Sequence, residues 1–157
     1  MNTYPEVGNK APEFHVPATG GQLKSDTCVG LKDFSDRPII LYFYPKDDTP
    51  GCTRQACALR DAWSQLQAKA HVLGVSPDSI SKHEKFIKKY ELPFPILSDE
   101  DHALASAYGV WVEKSMYGKK YMGMERTTFV ISTEGKIKAV FPKVKPEQHL
   151  EMVLAVL

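Results

Sequence analysis

The chain has 157 residues, of which 43% are hydrophobic and 25% are charged, and its formal net charge is +1. This composition is typical of a water-soluble globular protein, so we expect a single domain over residues 1–157 and exclude disorder throughout. The scattered basic residues favour neither a nucleic acid nor an acidic membrane surface as a partner. No apolar run approaches the ~20 residues of a membrane span.

The chain contains three cysteines, Cys28, Cys52 and Cys57. This small and odd number argues against the disulfide framework of a secreted protein. The N-terminal stretch MNTYPEVGNKAPEF lacks the apolar core and the small-residue cleavage site of an export signal. We therefore expect a cytoplasmic protein, in which free thiols persist and a disulfide is transient and catalytic rather than structural.

The first half of the chain predicts alternating strands and helices. Residues 39–44, IILYFY, form a short apolar run that is typical of a strand buried on both faces. An apolar stripe predicts a helix from about Thr53 to Ala68. The next predicted elements are a strand at 71–75, a helix with a capping box of Ser81 and Glu84, a strand at 95–97 and a short helix from 101 or 102 to 108.

The alternation of strands and helices ends after residue 112. Residues 113–124, EKSMYGKKYMGM, are polar and interrupted by glycine, so we predict a long loop. Residues 127–132 and 136–141 flank a Glu134–Gly135 turn that indicates a β-hairpin, and Pro146 opens a last helix. This order predicts a central mixed sheet flanked by helices, with an N-terminal extension. A thioredoxin-like fold has this order, although periodicity alone leaves a doubly wound sheet open.

Cys52 directly follows Pro50 and Gly51, at the predicted start of the helix after strand 39–44. In α/β proteins, ligands bind in the crevice beyond the carboxyl ends of the strands. The unpaired N–H groups and partial positive charge of a helix start favour a thiolate over a thiol, and Gly51 permits close backbone approach. From these residues alone, Cys52 is either a reactive thiolate or a buried cysteine that happens to begin a helix.

The spacing of Cys52 and Cys57 is neither a zinc signature nor that of a thioredoxin-type exchanger, because C-x-x-C and histidines at zinc spacing are missing. On a regular helix, Cα atoms at this spacing lie ~8.6 Å apart, beyond the ~7 Å limit for a disulfide. A bond between the two sulfurs would require the helix to unwind, as in a redox switch. The alternative is that Cys57 only packs on the helix flank.

Pro45, Thr49 and Cys52 match the P-x-x-x-T-x-x-C motif of the peroxiredoxins, which are thiol peroxidases with a thioredoxin fold. The stretch YPKDDTPGCTRQAC resembles the bacterioferritin comigratory protein (PrxQ) branch of that family. The downstream segments LSDEDHALASAYGVWVEKSMYGKKYMG and ERTTFVI resemble the same branch, so that the resemblance covers nearly the whole chain.

The resemblance implies a role for five residues. Cys52 matches the peroxidatic cysteine, Thr49 the hydroxyl that orients the peroxide, and Pro45 the residue that shields the thiolate from water. Arg126 matches the active-site arginine. Cys57 matches the resolving cysteine that many members of the branch carry on the same helix.

The implied reaction uses no metal and no organic cofactor. Cys52 reduces hydrogen peroxide or an organic hydroperoxide and becomes a sulfenic acid, Cys57 converts it into an intramolecular disulfide, and thioredoxin restores both thiols. By analogy with the branch, we expect a monomer. Two other functions stay open: a disulfide oxidoreductase, which the missing C-x-x-C disfavours, and a redox sensor or holdase that uses the same switch.

Three of the matched residues also have structural interpretations. Arg126 can form a surface ion pair with Glu125, Thr49 can cap the helix, and Pro45 can simply end a strand. These interpretations stay open at the level of the sequence.

Three further observations receive no role from the motif. Cys28 is expected to be incidental or a second resolving partner. Gln55 stands where many relatives have Glu, and the sequence does not indicate what this change does. The five histidines are dispersed and form no visible nucleophile-activating pair.

Overall fold

The structure, a computed structural model, describes residues 3–157. The strands are β1 (Val16–Gly20), β2 (Leu23–Val29), β3 (Ile39–Phe43), β4 (His71–Ser76), β5 (Pro95–Ser98), β6 (Trp111–Met116), β7 (Lys119–Met124), β8 (Thr127–Ile131) and β9 (Ile137–Phe141). The helices are α1 (Pro50–Asp61), α2 (Trp63–Leu66), α3 (Ile80–Tyr90), α4 (Ala103–Ala107) and α5 (His149–Leu154), with a 3₁₀ turn at Leu31–Phe34. None of the helices in this described range combines the length and apolar character needed to cross a bilayer.

Seven strands form one central sheet in the order β2-β1-β5-β4-β3-β8-β9. The β3–β4 and β4–β5 pairs are parallel, whereas β1–β2, β1–β5, β3–β8 and β8–β9 are antiparallel. The predicted mixed sheet is therefore confirmed. Because parallel neighbours need crossover connections, helices cover the sheet between β3, β4 and β5.

Strand β3 lies in the middle of the sheet, and all five of its residues are buried. Its side chains alternate between two apolar cores: Leu41 and Phe43 point into one, and Ile40 and Tyr42 into the other. Helices α1, α3 and α5 pack on the second core, and α4 on the first. The unbroken apolar run of β3 thus reflects burial on both faces, as predicted from the sequence.

The predicted loop over residues 113–124 is wrong, because this segment forms the hairpin β6–β7. Tyr117 and Gly118 connect the strands, and both have left-handed backbone, with φ of 52° and 79°. Two such residues give the tight turn that suits the twist of a hairpin. The hairpin forms a separate two-stranded sheet whose outer half is exposed on both sides. It therefore lacks the alternation of apolar and polar residues by which a strand is recognised.

The N-terminal residues contribute more to the fold than the predicted extension. Strand β1 pairs with both β2 and β5, so the two N-terminal strands widen the central sheet. Their turn at Gly20 and Gly21 has positive φ at both residues, and a Cβ on Gly20 would lie 2.6 Å from Ile87 Cδ1. Glycine is therefore favoured there by its backbone conformation, and a larger residue at position 20 would also displace the Ile87 side chain.

Three predicted helix boundaries are corrected by the structure. The single helix predicted over 53–68 is divided at Ala62 (φ −97°, ψ 13°), whose backbone leaves the helical region between α1 and α2. Helix α3 is capped by Ser79, whose hydroxyl accepts from the Lys82 backbone N–H at 3.3 Å, and not by Ser81. The last α-helix begins at His149, since residues 146–148 form a turn.

Candidate active site

Cys52 is the third residue of α1, at the end of the loop that follows β3. Thr49 is the N-cap with extended backbone, and its carbonyl accepts from the Thr53 N–H at 2.8 Å. Pro50 occupies the first helical turn, where its missing N–H costs nothing. The Cys52 side chain is buried and only 2% of the residue is exposed, so its sulfur lies at the positive end of the helix in a largely dry site.

Arg126 lies between β7 and β8 and contacts the cysteine. Its Nη2 donates to Cys52 Sγ at 3.3 Å, and its Nη1 donates to Gln55 Oε1 at 2.6 Å. A Cβ on Gly51 would lie 3.2 Å from Arg126 Nη2, so the missing side chain leaves room for the guanidinium. The structure thus brings Cys52 and Arg126 together, because β8 pairs with β3 in the sheet.

The surface ion pair considered for Arg126 does not fit the burial of its neighbour. Glu125 is 6% exposed and accepts hydrogen bonds from the Tyr4 hydroxyl and, at 2.7 Å, from the Thr127 hydroxyl. Glu125 therefore belongs to the protein interior.

Thr49 occupies the N-cap position, but its side chain does not cap the helix. Its hydroxyl instead donates to the Lys46 carbonyl at 2.9 Å. With its proton used in this way, the Oγ1 lone pairs can accept from an incoming O–H group. Thr49 and Pro45 are both half-buried on the loop that leads to Cys52.

The other two cysteines, Cys57 and Cys28, differ in their distance from this site. Cys57 lies within the same unbroken helix α1 and is partly exposed. Cys28 is exposed on β2, four strands away from β3, which corresponds to about 19 Å at ~4.8 Å per strand. All three thiols are free. The structure places Cys57, and not Cys28, near Cys52.

A buried network holds the loop that precedes α1. Asp47 accepts from the Tyr44 hydroxyl at 2.5 Å, and its other oxygen lies 2.6 Å from His83 Nδ1. The His83 Nε2–H donates to the Leu97 carbonyl at 3.0 Å, and the Asp47 N–H donates to Asp78 Oδ2 at 2.7 Å. No pattern in the sequence indicates this network, because His83 is 36 residues from Asp47.

Asp47, Asp78 and His83 bring potential metal-ligand atoms within 4.8 Å of one another. The 2.6 Å separation between Asp47 Oδ2 and His83 Nδ1 is that of a hydrogen bond. Two ligands of one tetrahedral Zn²⁺ with bonds of ~2.0–2.1 Å would lie about 3.3 Å apart. The trio therefore fits a structural hydrogen-bond network and not a metal ion.

A groove of about 560 Å³ opens beside the arginine. Its lining residues are Val112, Glu113, Lys114, Glu125, Arg126, Lys143 and Val144. Burial and the neighbouring Arg126 lower the pKa of Lys114, whose Nζ donates to the Met124 carbonyl at 2.5 Å. Three cationic side chains thus face one groove next to Cys52, a grouping that the dispersed lysines of the sequence did not reveal.

Tyr42 and His149 pack together below this site, with ring centroids 5.5 Å apart. Burial, followed by the charge of Cys52, raises the pKa of Tyr42 well above its ordinary value. Burial, followed by the positive charge of Arg126, lowers the pKa of His149 to about 3. Both side chains are therefore neutral at neutral pH, and the Thr128 hydroxyl lies 2.8 Å from His149 Nε2.

His149 predicts a specific loss of stability in mild acid. Between about pH 6.5 and about pH 3 the unfolded chain binds a proton at this residue and the folded chain does not. The free energy of unfolding therefore decreases as the pH is lowered through this range. We expect the wild type to lose about 2 kcal/mol more than His149→Gln between about pH 7.5 and about pH 5. Urea unfolding at the two pH values measures this difference. His15→Gln, at an exposed position, is the control, and equal losses in wild type and His149→Gln would refute the assignment.

A model of the AhpC/TSA family matches residues 7–140 of the chain. The chain belongs to this family. Peroxiredoxin Bcp of Bacillus subtilis is 44% identical over 153 residues, which cover 97% of this chain and 94% of the relative. Peroxiredoxin Bcp of Escherichia coli is 44% identical over 150 residues, which cover 95% of this chain and 93% of the relative. The protein is therefore a peroxiredoxin, that is, a thiol peroxidase.

Solved peroxiredoxin structures have the same fold. PrxQ of Xylella fastidiosa superimposes with a TM-score of 0.87 at 34% identity, covering 98% of this chain and 95% of that one. The bacterioferritin comigratory protein of Xanthomonas campestris, described for its alkyl peroxide reduction activity, gives a TM-score of 0.82 at 37% identity over 90% and 88% of the two chains. The thioredoxin-like fold and the PrxQ branch expected from the sequence are confirmed for this peroxiredoxin.

Proposed function

We propose that this peroxiredoxin reduces hydrogen peroxide and organic hydroperoxides with Cys52 as the peroxidatic cysteine and Cys57 as the resolving cysteine. The supporting observation is the 3.3 Å contact between Arg126 Nη2 and Cys52 Sγ at the start of α1. A helix start and a guanidinium both favour a thiolate. The alkyl peroxide reduction activity described for the Xanthomonas campestris relative supports organic hydroperoxides as substrates.

In the first step, the Cys52 thiolate attacks one oxygen of the peroxide. The S–O bond forms, the O–O bond breaks, and the departing oxygen takes up a proton to leave as water or an alcohol. Cys52 is thereby oxidised to a sulfenic acid. Thr49 accepts from the peroxide O–H, Arg126 stabilises the departing oxygen, and Pro45 limits the access of water to the sulfur.

In the second step, Cys57 attacks the sulfur of the sulfenic acid, an S–S bond forms and water leaves. Since both residues lie in α1, the first turns of the helix must unwind before the sulfurs can meet. Thioredoxin then reduces the disulfide by two electrons through thiol–disulfide exchange. The partial exposure of Cys57 is consistent with attack by an external thiol.

The remaining features of the proposal concern the state of the protein. We propose that residues 1–157 act as one peroxiredoxin domain, as a monomer and in the cytoplasm, where thioredoxin keeps thiols reduced. The cycle uses neither a metal nor an organic cofactor, because the electrons pass only between sulfur and oxygen.

Mass spectrometry after one equivalent of peroxide tests this cycle. We expect the wild type to lose two hydrogen atoms and to yield a peptide that joins Cys52 to Cys57. Cys57→Ser should complete the first turnover and then stop with one oxygen added at Cys52, which a sulfenic-acid reagent will trap. Cys28→Ser is the control and should behave as the wild type.

Two results would contradict parts of the scheme. Full cycling of Cys57→Ser with thioredoxin would remove Cys57 as the resolving cysteine. A disulfide between Cys28 and Cys52 would assign that role to Cys28, despite its place four strands away.

A further inference from the structure

Gln55 is a fully buried amide that links the helix of the reactive cysteine to the arginine. It lies one turn after Cys52 in α1, and its Oε1 accepts from Arg126 Nη1 at 2.6 Å. The other branch of the same guanidinium, Nη2, donates to Cys52 Sγ at 3.3 Å. The position of Arg126 over the sulfur is therefore fixed by two contacts, one to the amide and one to the thiol itself.

The amide leaves one of its own polar atoms unused. A guanidinium only donates, so Oε1 must face Arg126 and Nε2 must point away. This Nε2 is buried and has no hydrogen-bond partner among residues 3–157. A buried N–H without a partner destabilises the folded state. A carboxylate at the same place would leave no such donor unpaired and would form a stronger, charge-assisted bond to the arginine.

The Gln55 amide and a carboxylate at the same position would give the site different net charges. A carboxylate would offset the positive charge of Arg126, and this effect is strong where burial lowers the local dielectric. An amide holds the guanidinium in place by a hydrogen bond and, being neutral, does not offset the positive charge of the guanidinium. We propose that Gln55 is a positioning residue whose neutral amide directs Arg126 at Cys52 without compensating the arginine charge, so that this charge acts on the Cys52 thiolate.

Other titratable and charged groups also face the site, and none of them is changed in the variants compared below. Tyr42 from β3 and His149 from α5 are neutral at neutral pH, because burial shifts their pKa values upward and downward, respectively. Lys114 from β6 and Lys143 add positive charge beside the groove, although burial lowers the pKa of Lys114, and Glu113 lines the same groove. Glu125 accepts from the Tyr4 and Thr127 hydroxyls.

Two substitutions separate the charge of this side chain from its hydrogen bond. Gln55→Glu keeps an acceptor for Arg126 and adds a negative charge, whereas Gln55→Met removes the acceptor and adds no charge. The ionisation midpoint of Cys52 is read from thiolate absorbance in variants that also carry Cys28→Ser and Cys57→Ser. The rate constant for peroxide is measured over the same pH range in single turnovers.

For Gln55→Glu we expect the Cys52 midpoint to rise by about one pH unit. The rate should then fall about tenfold at a pH below both midpoints and return to within about twofold of the parent above them. For Gln55→Met we expect a lower rate at every pH, because Arg126 is no longer held. Urea unfolding of each variant identifies any loss of folding.

An unchanged midpoint in folded Gln55→Glu would overturn this inference. The inference rests on the proposed role of Cys52, and the two can fail separately. A raised midpoint without any change in peroxide rate would support the positioning of Arg126 by Gln55 and contradict Cys52 as the peroxidatic residue. A change in unfolding midpoint alone would assign Gln55 a purely structural role.

Discussion

Replacement of Cys52 by serine is expected to abolish peroxide reduction, with a loss of at least about a thousandfold in the rate constant. A serine hydroxyl is not ionised at neutral pH, even beside Arg126, and it cannot form the sulfenic acid on which the cycle depends. The rate is measured as peroxide consumed with an excess of a small dithiol, which bypasses any protein reductant.

The control for this prediction is Cys28→Ser, the same substitution at an exposed cysteine on β2. It should retain the wild-type rate. Circular dichroism and urea unfolding of Cys52→Ser establish that the variant is folded, since the substitution lies in a buried position. Peroxide consumption above about a tenth of the wild-type rate in a folded Cys52→Ser protein would exclude Cys52 as the nucleophile.

Replacement of Arg126 by methionine is expected to lower the rate constant for peroxide by about 10²–10³. Methionine retains much of the length of the side chain but removes both the charge and the donor that lies 3.3 Å from Cys52 Sγ. Arg126→Lys should give an intermediate rate, because an ammonium keeps the charge but cannot donate to the sulfur and to Gln55 through one rigid fork. Stopped-flow measurement of the first turnover gives these rates directly.

Arg54→Met is the matched control, because Arg54 is an exposed cation on the same helix as Cys52. We expect it to leave the rate nearly unchanged. If Arg54→Met and Arg126→Met lost activity equally, the effect would be one of general positive charge and not of the specific contact seen at Cys52.

The elements of the central sheet were predictable where burial leaves a simple pattern. Strand β3 is apolar throughout because it is covered on both faces, and its identification required only six residues of sequence, 39–44. The hairpin β6–β7 was missed for the opposite reason. Its strands are largely exposed and pair mainly with each other, so neither period nor composition distinguishes them from a loop.

The candidate site was predictable in its local part. Pro45, Thr49 and Cys52 lie within eight residues, so their order and spacing are visible without a fold, and the PrxQ resemblance pointed to Arg126. Their catalytic roles stay predictions until the variants are measured. The buried pair of Asp47 and His83 and the neutral His149 could not be predicted, because each depends on which distant strands and helices become neighbours.

The sequence by itself determined the α/β class, the place of Cys52 at a helix start, and the family. The first two depend on backbone preferences and hydrophobic patterns over short stretches of chain, whereas the family was indicated by the resemblance of the motif around Cys52 to the peroxiredoxins. The tertiary structure decided the environment of the thiol: Arg126 reaches Cys52 across 74 residues because β8 pairs with β3, and the same pairing places Gln55 against the guanidinium. Burial and long-range contact set the electrostatics of this site, and both are properties of the packed sheet and not of any single segment.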